Sequence, residues 1–280
     1  MLLNRMMLSA AAGVVLGVWT VKGGGYTSSM LAACGTQAAG IAAGGHVLQK
    51  TTEEYDGTSW TSANDMNNGR RHLGLFGTQT ATCGAGGNDA NVTNPFLHVE
   101  EYNGTNWTNV TDLALERSGP GRAGTQTAGL LICGAVNEGA DLYSVSCLEY
   151  NGSSWAAGGN ANTGMYAPCS AGTQTAAYKA GGYISGGHTD VVETYNGTSW
   201  TSGTSLPYVT YTGGGTGTSS AALVFGGDEI GPGLDNTVSY DGSAWSERTP
   251  LNAKSVYCQG GGSSTLCFKK GSGGNEEYVE

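Results

Sequence analysis

EEYDGTSWT, residues 53–61, returns as EEYNGTNWT at 100–108 and as ETYNGTSWT at 193–201. Three anchors recur around it. A G-T-Q-like turn starts at Gly35, Gly77, Gly124, Gly172, Gly217 and Gly262, the last two in the degenerate forms GTSS and GSST. A small or glycine doublet ends at Gly45, Gly87, Gly134, Gly182, Gly227 and, in degenerate form, Ser272. A Tyr-[Asp/Asn]-Gly-x-x-Trp string occurs at Tyr55/Trp60, Tyr102/Trp107, Tyr150/Trp155, Tyr195/Trp200 and Tyr240/Trp245. Repetition at a fixed period decides the architecture before any single segment is read.

The spacings carry the argument. The G-T-Q glycine and the end of the doublet are 10 residues apart in all six copies. Tyr and Trp are five apart in all five complete copies. Trp and the next G-T-Q glycine are 17 apart, except for 16 between Trp19 and Gly35. Only the interval from doublet to Tyr varies: 10, 15, 16, 13, 13 and 6 residues in chain order. A repeat that changes length at one place is a rigid unit with one variable loop.

Each unit reads as four strands. A small-residue stretch (LGLFG, 73–77) is strand a, and G-T-Q turns the chain into an apolar strand b such as AALVFGG, 221–227. The variable loop leads to strand c, and Asp-Gly or Asn-Gly supplies the left-handed dihedrals of a tight hairpin into strand d, which carries the Trp. Alternation along the strands places Tyr and Trp where they can pack between neighbouring sheets. Four-stranded units of about 45 residues are propeller blades. The sixth copy stops at EEYVE without a strand d, while Trp19 stands near the N-terminus without a strand before it. The expectation is that residues around 15–21 complete the last blade, so that Trp19 joins Tyr278 and no free sheet edge is left. The blades then fall at roughly 28–61, 70–108, 117–156, 165–201, 210–246, and 256–280 with 15–21. Residues 1–14 form an apolar leader or peg, retained because ring closure needs the strand that follows it.

Composition narrows the function. Glycine is 49 of 280 residues without a G-X-Y period, which excludes collagen. Twelve Lys and Arg against 22 acidic residues leave a formal charge of −10. So acidic a chain is a poor partner for nucleic acid or an anionic surface. The apolar run from Met6 to Trp19 is too short to span a bilayer, which takes roughly 20 residues. The seven cysteines include no C-x-x-C pair and read as small strand fillers.

The order Gly-Gly, loop, Tyr-[Asp/Asn]…Trp resembles the kelch repeat from about Trp19 to Tyr278. It departs from that pattern in lacking a regular arginine after strand d, where only Arg71 and Arg117 or Arg122 are candidates. GTQTA, Gly-Gly and EEYNGTNWT, with the leader NRMMLSAAAG, are similar to kelch-like proteins of tailed bacteriophages, especially marine ones. The resemblance implies an all-β, six-bladed kelch-like β-propeller that is a virion structural or host-recognition protein.

Candidate chemistry is sparse. His46, His72, His98 and His188 sit at different blade positions and read as exposed loop imidazoles rather than a converging metal set, which needs at least three ligands. Asp56-Gly57 resembles a sialidase Asp-box but lacks the residue between Asp and Gly, and reads as a hairpin turn. Asn88, Asp89 and Asn91, or Asp228 and Glu229, could offer oxygens to calcium but fall short of a full ligand set. No catalytic residue, cofactor or metal is expected.

In a four-stranded blade the b–c and d–a loops share one face, and all the length variation lies in b–c. That face suits partner-specific recognition. Its candidate contact residues are His46, Asn88, Asp89, Asn91, Asn137, Glu138, Asp141, Tyr183, His188, Asp228 and Glu229. The expected partners are other virion proteins and a host-surface glycan or receptor, reached from several symmetric copies on a tail or capsid. A secreted bacterial lectin of the same fold is the alternative, and a propeller enzyme a remote one.

Overall fold

The computed structural model describes residues 17–26, 28–46, 50–89, 95–137, 142–229 and 231–280. Among these residues every regular element is a strand. The leader, Asn91, Glu138 and Asp141 lie outside the described residues.

The first strand, β1 (Val18–Lys22), belongs to the last sheet. Blade one follows as β2 (Ala32–Thr36), β3 (Ala39–Ala43), β4 (Thr52–Tyr55) and β5 (Trp60–Ala63). Blade two is β6 (Gly74–Thr78), β7 (Ala81–Ala85), β8 (Val99–Tyr102) and β9 (Trp107–Asn109). Blade three begins with β10 (Gly121–Thr125) and β11 (Ala128–Ile132). Its variable loop folds into a small hairpin, β12 (Ala135–Asn137) with β13 (Leu142–Tyr143), before β14 (Cys147–Tyr150) and β15 (Trp155–Ala157). Blade four repeats that plan: β16 (Cys169–Thr173), β17 (Ala176–Ala180), the hairpin β18 (Tyr183–Ile184) with β19 (Gly187–His188), then β20 (Val192–Tyr195) and β21 (Trp200–Ser202). Blade five is β22 (Gly214–Thr218), β23 (Ala221–Phe225), β24 (Thr237–Tyr240) and β25 (Trp245–Glu247). Blade six is β26 (Gln259–Gly262), β27 (Leu266–Lys270) and β28 (Asn275–Val279), closed by β1. The innermost strands β2, β6, β10, β16, β22 and β26 contact one another in a closed ring. The fold is a six-bladed propeller.

The turns explain the repeated residues. Each G-T-Q glycine has a φ between +91° and +122°, and a Cβ there would meet a strand-b carbonyl oxygen at 2.1–2.4 Å. Only glycine fits both demands. In the c–d turn the side-chain oxygen of Asp56, Asn103, Asn151, Asn196 or Asp241 accepts two backbone N–H groups at 2.8–3.0 Å. That pattern is why Asp and Asn interchange there. The three hydrogen bonds that exposed Asp56 accepts, from the Thr58 hydroxyl and the Thr58 and Ser59 N–H groups, hold its pKa down to about 2, the Thr58 hydroxyl most of all.

Packing between blades uses the rest of the EEYDGTSWT string. Tyr and Trp rings lie 4.7–5.1 Å apart in all six blades, Trp19 with Tyr278 included. The residue before Tyr supplies a carboxylate to the next blade. Tyr55 donates to Glu277, Tyr102 to Glu54, Tyr150 to Glu101 and Tyr195 to Glu149, at 2.5–2.9 Å. One residue earlier, Glu53, Glu100, Glu193 and Glu276 are buried and pair with Lys270, Arg70, Lys179 and Lys269. Arg70, not Arg71, is therefore the buried arginine that precedes blade two, whereas Arg117 at the matching place in the next unit bonds the Ser146 hydroxyl instead.

The Gln of G-T-Q is a clamp as well as a turn residue. The Nε2 of Gln79 donates to Gly40 and Tyr55 carbonyls, that of Gln126 to Thr82 and Tyr102, and that of Gln174 to Gly129 and Tyr150, at 2.8–3.1 Å. Each reaches back into the preceding blade. The seam between blades six and one is instead held by Lys270, 2.7 Å from Glu53 and 3.9 Å above the Trp60 ring. All seven cysteines are free and buried.

Candidate functional site: an aromatic-rimmed channel mouth

The strand-a residues converge on a central channel, and each enters it through one left-handed residue. Met30, His72, Gly119, Ala167, Thr212 and Tyr257, one per blade, have φ between +49° and +64°. Their backbones link blade to blade. His72 N–H donates to Met30, Gly119 to His72, Ala167 to Gly119 and Thr212 to Ala167, at 2.8–3.0 Å, and Cys258 donates to Thr212 at 3.1 Å. This belt sets the rim of the channel on the face that carries the b–c and d–a loops.

Aromatic side chains stand on the belt. His72 meets Tyr166 edge-on at 5.4 Å and Tyr257 at 5.8 Å. Tyr143 bridges Tyr166 and Tyr183 at 6.4 and 5.9 Å, Tyr183 meets Tyr211 at 5.9 Å, and Tyr211 meets Tyr257 at 6.4 Å. The six rings close a circle. His188 lies flat on Tyr211 at 4.5 Å. Each of these residues is half-buried.

Burial favours the neutral forms of His72 and Tyr211 in the circle. The Nε2 of His72 is shut off from water, and its Nδ1 lies 2.5 Å from the Tyr166 hydroxyl. Burial first, then the charge of nearby Arg71, lowers the His72 pKa to about 3. Burial also raises the Tyr211 phenol, helped by its bond to Tyr257. Below the circle, inside the channel, lies Arg122, which is 7% exposed. Its Nη2 donates to the Ala33 carbonyl at 3.3 Å, and Ser170 bonds its backbone.

The circle includes Tyr183 and holds His188, two of the residues expected at the recognition face. His46 and Glu229 are exposed on the same face, and Asp228 is half-buried, capping the Gly231 N–H at 3.1 Å. Asp89 is half-buried, and Asn137 lies in the β12 hairpin. Two expectations are corrected. Asn88 is not open to contact on the recognition face: it is fully buried, and its Oδ1 accepts from Arg71 Nε at 3.1 Å, because an antiparallel bridge folds the loop start inward. His72 is not an exposed imidazole, because its left-handed backbone turns the ring into the circle. His98 lies apart, 3.8 Å from Asp112.

Tyr143, Tyr166, Tyr211, Tyr257 and Arg122 are the functional candidates that motif reading missed. A weak signal existed. Tyr166 and Tyr211 lie six residues before a G-T-Q glycine, and His72 and Tyr257 five. Aromatic faces with phenolic edges suit ligands that have both apolar C–H surfaces and hydroxyls. Among the described residues no group of three or more His, Cys, Asp or Glu could hold a metal ion, and no helix is long and apolar enough to cross a membrane.

No family model and no curated protein matches this chain. Among solved structures, one described as the structure of YjhT superposes with a TM-score of 0.75 at 12% identity, covering 91% of this chain and 94% of its own. At that identity the likeness carries the propeller fold alone.

Proposed function

We propose that the chain is a non-enzymatic recognition module of a bacteriophage particle, binding a surface glycan at the aromatic circle. The observation that carries this reading is the closed circle of half-exposed rings at the channel mouth, on the face that bears every length-variable loop. A sugar ring can lay its C–H face on Tyr183, Tyr211 or Tyr257 while its hydroxyls meet phenol oxygens. Support for the particle comes from the kelch-like and phage-like style of the G-T-Q and EEYNGTNWT motifs. The opposite face, with its uniform turns, suits repeated contacts to other virion proteins in a symmetric assembly.

Two experiments test the reading. Purified chain is screened against a glycan array and against whole bacterial cells, beside Tyr211→Ala and Tyr257→Ala. Binding that falls at least tenfold in either variant, with unfolding unchanged, is expected. Equal binding by all three proteins sinks the glycan site. Imaging and mass spectrometry of purified particles that contain no copy of the chain sink the virion assignment and leave a secreted lectin.

A further inference from the structure

Arg122 is the second residue of β10. The second residues of the other innermost strands are Ala33, Leu75, Ser170, Gly215 and Gly260. The small residues opposite leave room for the guanidinium to cross the axis and reach the Ala33 carbonyl. There it separates the channel into two cavities. The larger, about 120 Å³, runs from Arg122 to the ring of G-T-Q glycines on the uniform face.

The charge has no counterpart. Arg122 forms no ion pair among the described residues, and no Asp or Glu lines either cavity. The titratable groups that act on Arg122 are thiols and a phenol, Cys34, Cys169, Tyr178 and Cys258, and burial raises the pKa of each, favouring its neutral form. Arginine cannot escape by losing its proton at ordinary pH. Of the five other buried cations among the described residues, Arg70, Lys179, Lys269 and Lys270 each face a glutamate, and Arg117 donates to the Glu116 carbonyl and the Ser146 hydroxyl, whereas Arg122 is the one that borders an open cavity at the axis. A buried, unpaired charge is costly, and a guanidinium fork fits a planar or tetrahedral oxyanion through two parallel N–H bonds.

We infer that the cavity beside Arg122 is a binding site for a small inorganic oxyanion of the sulfate or phosphate class, held by the guanidinium at the propeller axis. The site lies below the aromatic circle and does not rest on the glycan reading. The anion acts as the missing partner of Arg122 and ties the six innermost strands together.

The test measures thermal unfolding of the full chain against sulfate and phosphate, with chloride at matched ionic strength. Wild type is compared with Arg122→Met and Arg122→Lys. The wild-type midpoint is expected to rise about 5 °C or more at a hundredfold excess over Kd, beyond the general salt effect seen in Arg122→Met. An equal rise in wild type and Arg122→Met, or an equal rise with chloride, overturns the proposal. Because either variant could misfold, wild-type crystals grown in selenate give an independent reading. An anomalous peak within hydrogen-bond reach of the guanidinium supports the site, and a channel without one overturns it.

Discussion

Trp19 and Tyr278, near opposite ends of the chain, sit directly across from each other in β1 and β28, with their rings 5.1 Å apart. Every other blade makes the same pair from residues five apart in sequence. The ends of the chain thus rebuild a motif that the interior writes in one stretch. Trp19 also touches Phe225 at 5.1 Å and donates its indole N–H to Thr237 of blade five at 3.1 Å. Closure therefore joins two blades as well as completing one.

Trp19→Ala should lower stability by about 3–5 kcal/mol, the usual cost of deleting a large buried aromatic. Trp245→Ala, at the equivalent but only half-buried position, should cost half of that or less. Calorimetry of both variants decides the matter. Similar losses would mean that the closing strand has no special weight.

The repeat, the blade order and the closing strand were legible because they rest on spacing, and spacing survives substitution. The clamp role of Gln79, Gln126 and Gln174 was not, because a polar residue in a turn needs no partner to be explained. The paired carboxylates of EEY were also opaque. Glu53 meets Lys270 across the closing seam, and nothing in the local string names that cation. The aromatic circle was hidden for another reason. Its members come from d–a loops, b–c hairpins and both β-turn flanks, so no single repeat position is aromatic throughout. Asn88 misled because a loop residue that bridges back to Arg71 looks, in sequence, like any exposed asparagine.

The clamps make a clean contrast within one motif. Gln79→Ala, Gln126→Ala and Gln174→Ala each remove two hydrogen bonds to buried or half-buried carbonyls and should cost about 1–2 kcal/mol. Gln37 sits in the same turn of blade one, half-buried like the other three, but makes no such pair of hydrogen bonds among the described residues, so Gln37→Ala should stay within about 0.5 kcal/mol. Melting temperatures of the four variants test the idea. A loss at Gln37 as large as at Gln79 would show that the residue matters for the turn alone.

The closing seam depends on an ion pair removed from water. Glu53→Leu or Lys270→Met alone should cost about 3–5 kcal/mol, since each leaves one buried group without its partner. The double variant Glu53→Leu, Lys270→Met should recover most of that loss. Leu148 and Val238 already occupy the Glu53 position in blades three and five, so the blade accepts an aliphatic side chain there. A double-mutant cycle in denaturant reads the coupling, and simple additivity of the two single losses would contradict it.

The aromatic circle should be sensitive to acid through His72. Its folded pKa is lowered to about 3, against about 6.5 in the unfolded chain. Between those values the unfolded state binds a proton that the folded state refuses. Stability is therefore at its full value above about pH 6.5 and falls as pH drops toward 3, by at most about 1.4 kcal/mol per pH unit. Carboxylates also titrate in this range, so the informative quantity is a difference. His72→Phe keeps the ring contacts to Tyr166 and Tyr257 but removes the titrating group. Denaturant midpoints taken from pH 7 to pH 5 should decline more steeply in wild type than in His72→Phe. Parallel declines would show that the imidazole takes up its proton as easily in the folded circle as in water.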